Sequence, residues 1–179
     1  MAVYVALLRG INLAGRRRVP MAQLRELLTE CGYADVRTHL QSGNVLLRAP
    51  ARATAPLERD LAAAIETEFG FAVPVVVRSG PQMDTVVAQD PLGEVVTDPK
   101  LYQVTFLTGP PAAGTEARLQ GIAAGAERVA VHGREVYTWH PDGVARSKLA
   151  TALADRVMGA GATARNFRTV CALAEMAAG

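Results

Sequence analysis

The sequence predicts an α+β fold of two ferredoxin-like subdomains, built on the βαββαβ pattern. Three observations lead there: the order of elements in residues 1–78, the way apolar residues divide between strand faces, and a partial repeat of that order after residue 100. Tyr4–Arg9 is apolar on both faces, as a central strand requires. Pro20 then opens a helix in which Leu24, Leu27, Leu28 and Cys31 recur at helical spacing, and Gly32 stands where a C′ glycine belongs. Val36–Leu40 alternates polar and apolar residues, and Ser42-Gly43-Asn44 is turn chemistry leading into a mostly apolar strand, Asn44–Arg48. Pro56 starts a second helix with Leu57, Leu61, Ile65 and Phe69 on one face, closed by Gly70, and Phe71–Arg78 returns as a strand interrupted by Pro74. In this topology the first and third strands are central, and these are the two that are apolar on both faces. The proline falls in the fourth strand, an edge, where a missing N–H is tolerated.

Residues 80–99 carry Pro81, Pro91 and Pro99 and read as a connector with a short helix near Met83–Gln89. A second βαββ run follows: a strand at Tyr102–Leu107, a weak helix at Thr115–Ala124, and a hairpin of Ala126–His132 and Glu135–Trp139 around Gly133-Arg134. Helices are expected at Ser147–Met158 and Asn166–Ala178. No clear fourth strand is visible, so the second half reads as βαββαα. The expected organisation is thus a subdomain over residues 1–79, a connector over 80–99 and a second subdomain over 100–179 ending in helices.

Composition excludes several classes. No apolar run approaches the length of a membrane helix, and the opening Met1-Ala2-Val3-Tyr4-Val5 lacks the basic segment of a secretory signal, so a cytoplasmic location without membrane association is expected. The two cysteines, Cys31 and Cys171, fall on apolar helix stripes and read as buried thiols; with three scattered histidines and no CxxC, no metal site is expected. The formal net charge is only +2, but residues 1–78 carry ten basic and seven acidic groups while 79–99 carry four acidic groups and no basic one. An aromatic content of 5% argues against a stacking surface for single-stranded nucleic acid. Tyr137 and Trp139 alternate on one strand, as a stacking platform or as ordinary sheet packing.

The conspicuous segment is Arg9-Gly10-Ile-Asn12-Leu-Ala-Gly15-Arg16-Arg17-Arg18, between a strand and a helix. Its GxxxxG spacing matches a phosphate loop, but Arg16 and Arg17 occupy the lysine and hydroxyl positions and the sheet is antiparallel, so nucleotide hydrolysis is rejected. What remains is a loop able to hold an anion, or a solvated basic loop. The first two strands run parallel, so this loop and the turn Gln41-Ser42-Gly43-Asn44 converge at one end of the sheet. In the second half, Ser147 beside Lys148 and Asn166 beside Arg165 precede helices, as N-caps or as anion contacts. Adjacent Ser147 and Lys148 do not make a catalytic dyad. No hydrolase, zinc-protease or dinucleotide motif appears, so neither an enzymatic activity nor a cofactor is assigned.

Tyr4-Val-Ala-Leu-Leu-Arg-Gly-Ile-Asn12, Val19-Pro20-Met21 with Leu24, Gln41-Ser-Gly-Asn-Val45, Ser147-Lys148-Leu149 and Thr163-Ala-Arg165-Asn166 with Thr169 resemble the hallmark segments of the bacterial family called domain of unknown function 1697. The resemblance spans nearly the whole chain and implies an α+β protein of two ferredoxin-like subdomains with no established activity. One position departs from the family pattern: Ala14 replaces a glycine, and a positive φ there is disfavoured. Two function classes follow. One is a binder of a phosphate- or carboxylate-bearing small molecule through Arg9, Gly10, Asn12, Arg16, Arg17, Arg18, Gln41, Ser42 and Asn44, joined by Ser147, Lys148, Arg165 and Asn166. The other is a nucleic-acid-binding or protein-interaction module using the same face.

Overall fold

A computed structural model describes residues 1–154 and 161–179. It divides into two compact units, Met1–Asp84 with Leu173–Gly179, and Thr85–Ala172. The first contains β1 (Ala2–Leu8), α1 (Met21–Glu30), β2 (Ala34–His39), β3 (Asn44–Ala49), α2 (Thr54–Phe69), β4 (Val75–Ser79) and the start of α3 (Gly80–Gln89). The second contains β5 (Tyr102–Leu107), α4 (Thr115–Ile122), β6 (Arg128–His132), β7 (Glu135–Trp139), α5 (Lys148–Ala154), β8 (Ala162–Asn166) and the first half of α6 (Phe167–Ala178). Each unit holds one four-stranded antiparallel sheet, ordered β2-β3-β1-β4 and β6-β7-β5-β8. Both orders are consistent with a ferredoxin-like arrangement.

The first unit follows the pattern read from its residues. Tyr4, Ala6 and Leu8 of β1 pack with Leu24 and Leu28 of α1 and with Leu57, Leu61 and Ile65 of α2. Val5 and Leu7, pointing the other way, are buried as well, which is why β1 is apolar on both faces. Helix α1 ends in a Schellman motif at Gly32 (φ 89°): Gly32 N–H donates to Thr29 O (2.9 Å) and Tyr33 N–H to Leu28 O (3.1 Å). Pro74 precedes β4 rather than interrupting it, and α2 begins two residues before Pro56. Cys31 is exposed, contrary to expectation: it caps the helix, and Leu24 and Leu28 fill the buried stripe without it.

The larger correction is β8. The second half has a fourth strand, so both halves share the order βαββαβα. Ala162-Thr-Ala-Arg-Asn166 escapes recognition because two of its five residues are alanines, poor strand formers, and because it is a short edge. Thr163 and Arg165 therefore lie on a strand, not in a loop ahead of a helix. Residues 155–158 of the expected fifth helix lie outside the described residues.

One edge strand of each unit, β4 and β8, carries an arginine folded back onto the preceding carbonyl. On β4, Glu58 Oε1 accepts the Val77 N–H (2.8 Å) and Arg78 Nη1 donates to Val77 O (2.9 Å). On β8, Arg165 Nη1 donates to Ala164 O (2.8 Å). Arg78 faces Val5 of β1 and Arg165 faces Val104 of β5, equivalent positions. Occupying outward-pointing backbone groups with a folded-back arginine blunts an edge that would otherwise invite another strand.

Candidate functional site

The loop after β1 is an ordered hairpin. Asn12 N–H donates to Arg17 O (3.1 Å) and Arg16 N–H to Leu13 O (2.9 Å), with Leu13 and Arg16 bridged antiparallel. The tip residues Ala14 and Gly15 have φ of 47° and 74°, the two positive values of a type I′ hairpin turn. Ala14 thus adopts the positive φ that its side chain disfavours, and the cross-hairpin bonds impose it. Asn12 ties the base of the hairpin. Its Nδ2 donates to Val19 O (3.0 Å) and Gln41 O (2.8 Å), and its Oδ1 accepts the Val19 N–H (2.9 Å).

The bond to Gln41 joins loop and turn, the juxtaposition that the parallel run of β1 and β2 requires. Gly43 O also accepts the Leu8 N–H (2.8 Å), and Asn44 Nδ2 donates to His39 O (2.8 Å) and Ser42 Oγ (3.1 Å). Asn44 is fully buried while Gln41 and Ser42 are exposed. Asn12 and Asn44 therefore use their amides to build the site's frame. Of the six non-glycine residues with positive φ among the described residues, three (Asn12, Ala14 and Arg17) lie in the loop and a fourth, Leu40, directly precedes the turn. Strained backbone gathered in one place marks a conformation held against its local preference.

Arg16, Arg17 and Arg18 are exposed, and among the described residues their side chains have no hydrogen-bond or ion-pair partner. Arg9 closes β1 and is half-buried, with its N–H on Pro74 O (3.0 Å). Residues 9–20 and 39–44 contain no acidic side chain. The fold does not require this charge: the second unit makes the same strand-to-helix connection, β5 to α4, through Thr108–Gly114, seven residues without one. Two apolar neighbours were not singled out from the sequence, although both stand in it beside the polar motifs: Leu13 is 65% exposed and Leu40 56%.

The C-terminal candidates sit in the second unit, and the polar side chains of Ser147, Arg165 and Asn166 are engaged locally. Ser147 Oγ accepts the Ala150 N–H (2.9 Å), and Asn166 Oδ1 accepts the Thr169 N–H (2.9 Å), so both cap helices. Lys148 is exposed at the start of α5. Arg165 is buried and donates to Thr163 Oγ1 (2.8 Å); burial lowers its pKa to about 10. Tyr137 and Trp139 are buried in β7, which is sheet packing rather than an open platform. Among the described residues, no three His, Cys, Asp or Glu side chains are grouped to hold a metal ion.

Ser147 also belongs to a network invisible in the sequence, because its members are 13 and 20 residues apart. Glu127 Oε1 accepts from Ser147 Oγ (2.5 Å) and pairs with His140 Nδ1 (2.9 Å), Glu127 Oε2 accepts the Ala124 N–H (3.0 Å), and His140 Nε2 meets Thr138 Oγ1 (2.9 Å). Desolvation pushes the Glu127 carboxyl up, but the Ser147, Ala124 and His140 donors together hold it below its ordinary value. A depressed carboxyl contributes stability that is present above its unfolded pKa and lost as pH falls through its folded one. Acidification below about pH 4 should therefore destabilise the wild type more steeply than Glu127→Gln. Denaturant midpoints across that range check it, and identical acid limbs would remove the network's part in stability.

Comparison with known proteins adds two findings. A family model described as "Protein of unknown function (DUF1697)" matches residues 1–137. The chain is also similar, with a TM-score of 0.75 and 21% identity over 98% of both chains, to a structure described as that of the conserved bacterial protein SP0830 from Streptococcus pneumoniae. At that identity the likeness concerns the fold alone. No curated protein matches.

Proposed function

The chain belongs to the DUF1697 family, and from that premise we propose that the loop and turn at the end of β1 form an anion-binding site for a phosphate-bearing ligand, carried on the first of two ferredoxin-like subdomains. The observation that carries this reading is the set of guanidiniums of Arg16, Arg17 and Arg18, without a partner among the described residues, on a backbone already fixed by Asn12. Guanidinium forks match phosphate oxygens in pairs, and a preformed loop lowers the ordering cost of binding. The uncharged connection in the second unit supports the same view, since architecture alone leaves the arginines without a task.

Isothermal titration with phosphate and pyrophosphate tests it. Arg16→Ala and Arg18→Ala should each weaken binding by about 1 kcal/mol, and Arg9→Ala, half-buried, by about 1.5–3 kcal/mol. The Arg16, Arg17 and Arg18 variants should keep their thermal stability to within about 0.5 kcal/mol. No binding by the wild type, or equal affinity in all variants, would leave a solvated basic loop.

A further inference from the structure

The same loop carries more than a preference for anions. Resting on the anion-binding reading, we propose that it docks on the phosphodiester backbone of a duplex nucleic acid. Form is the first reason. Every residue from Leu13 to Arg18 is exposed, so the cations stand on an open hairpin tip. A free anion on such a tip stays hydrated and is held by few contacts. A polyanion meets several arginines at once and releases its condensed counterions in doing so.

The second reason is the apolar pair. Leu13 and Leu40 lie on the two segments that the Asn12–Gln41 hydrogen bond holds together, at 65% and 56% exposure. Apolar side chains beside arginines can lie against the sugars that separate the phosphates of a duplex. The third is what the segments lack. Residues 9–20 and 39–44 contain no Phe, Tyr or Trp on which the bases of a single strand could stack, so a paired backbone is the better match. Contacts confined to phosphate and sugar position a protein without reading sequence, so little sequence preference is expected.

The test is fluorescence anisotropy of the full chain with labelled DNA and RNA duplexes at increasing salt. Pyrophosphate and vesicles of mixed neutral and anionic phospholipid serve as separate arms. The plot of log affinity against log salt should fall with a slope of about −3 to −4 for Arg16, Arg17 and Arg18 with Arg9, and each Arg→Ala variant should make it shallower by about 1. Leu13→Ser should lower affinity severalfold with the slope unchanged. A tighter DNA or a tighter RNA duplex supports the shared chemistry and says which helical form the tip fits. Pyrophosphate bound as tightly as duplex, vesicles bound in preference to it, or a slope unmoved in the arginine variants would overturn the inference while the anion site stands. Binding to none of these anions would remove both.

Discussion

Gly43→Ala should destabilise the protein by about 2–4 kcal/mol, through left-handed strain and close approach together. Gly43 has φ 80°, and a Cβ built on it would lie 2.7 Å from Ile11 Cδ1 and 2.8 Å from Leu8 Cβ. The terminal methyl of Ile11 is able to rotate away. The Cβ of Leu8 is not, because it is fixed to the backbone of β1 and the residue is buried. Nor can the turn retreat without loss, since Gly43 O accepts the Leu8 N–H at 2.8 Å. Gly32→Ala is the control. Gly32 also has positive φ (89°) but nothing within 4 Å of the added methyl, so it should lose only the strain, about 1–2 kcal/mol. Urea midpoints should fall in both variants, further for Gly43→Ala, at unchanged m. Equal losses would show that the approach of turn to loop contributes nothing.

The end of the sheet on which this turn sits was legible because it follows from topology. Strands β1 and β3 announce themselves as central by being apolar on both faces, and that placement makes β1 and β2 parallel. The meeting of Gly10–Arg18 with Gln41–Asn44 is then a consequence. Strand β8 was not legible, because an alanine-rich edge has neither the alternation nor the β-branched residues by which strands are recognised. The conformation of Ala14 was not legible either: propensity disfavours φ 47°, and bonds between Asn12 and Arg17 and between Leu13 and Arg16 override it. Ser147, Glu127 and His140 converge from three segments with no spacing to betray them.

Asn12 shows most clearly what a polar residue in a loop conceals. By composition it reads as a ligand contact, whereas the structure gives it three hydrogen bonds to backbone. Asn12→Ala should therefore cost about 2–4 kcal/mol of stability. Val19 is fully buried, and both its N–H and its C=O rely on the Asn12 amide, so truncation strands two polar groups at about 1–3 kcal/mol apiece before relaxation and water entry reduce the loss. Asn12 also sits at φ 55°, where asparagine is far better tolerated than alanine. Asn12→Gly separates the terms: it loses the hydrogen bonds but not the backbone fit, and should fall between wild type and Asn12→Ala. Asn12→Asp keeps the acceptor for the Val19 N–H but sets a carboxylate oxygen against Val19 O and Gln41 O, so it should not rescue. Phosphate affinity should fall along with stability in all three, because the hairpin that aims Arg16–Arg18 loses its base. Denaturant unfolding and phosphate titration of the same variants decide the matter. A variant that keeps its stability yet loses the anion would make Asn12 a direct ligand contact and overturn its role as the frame of the loop.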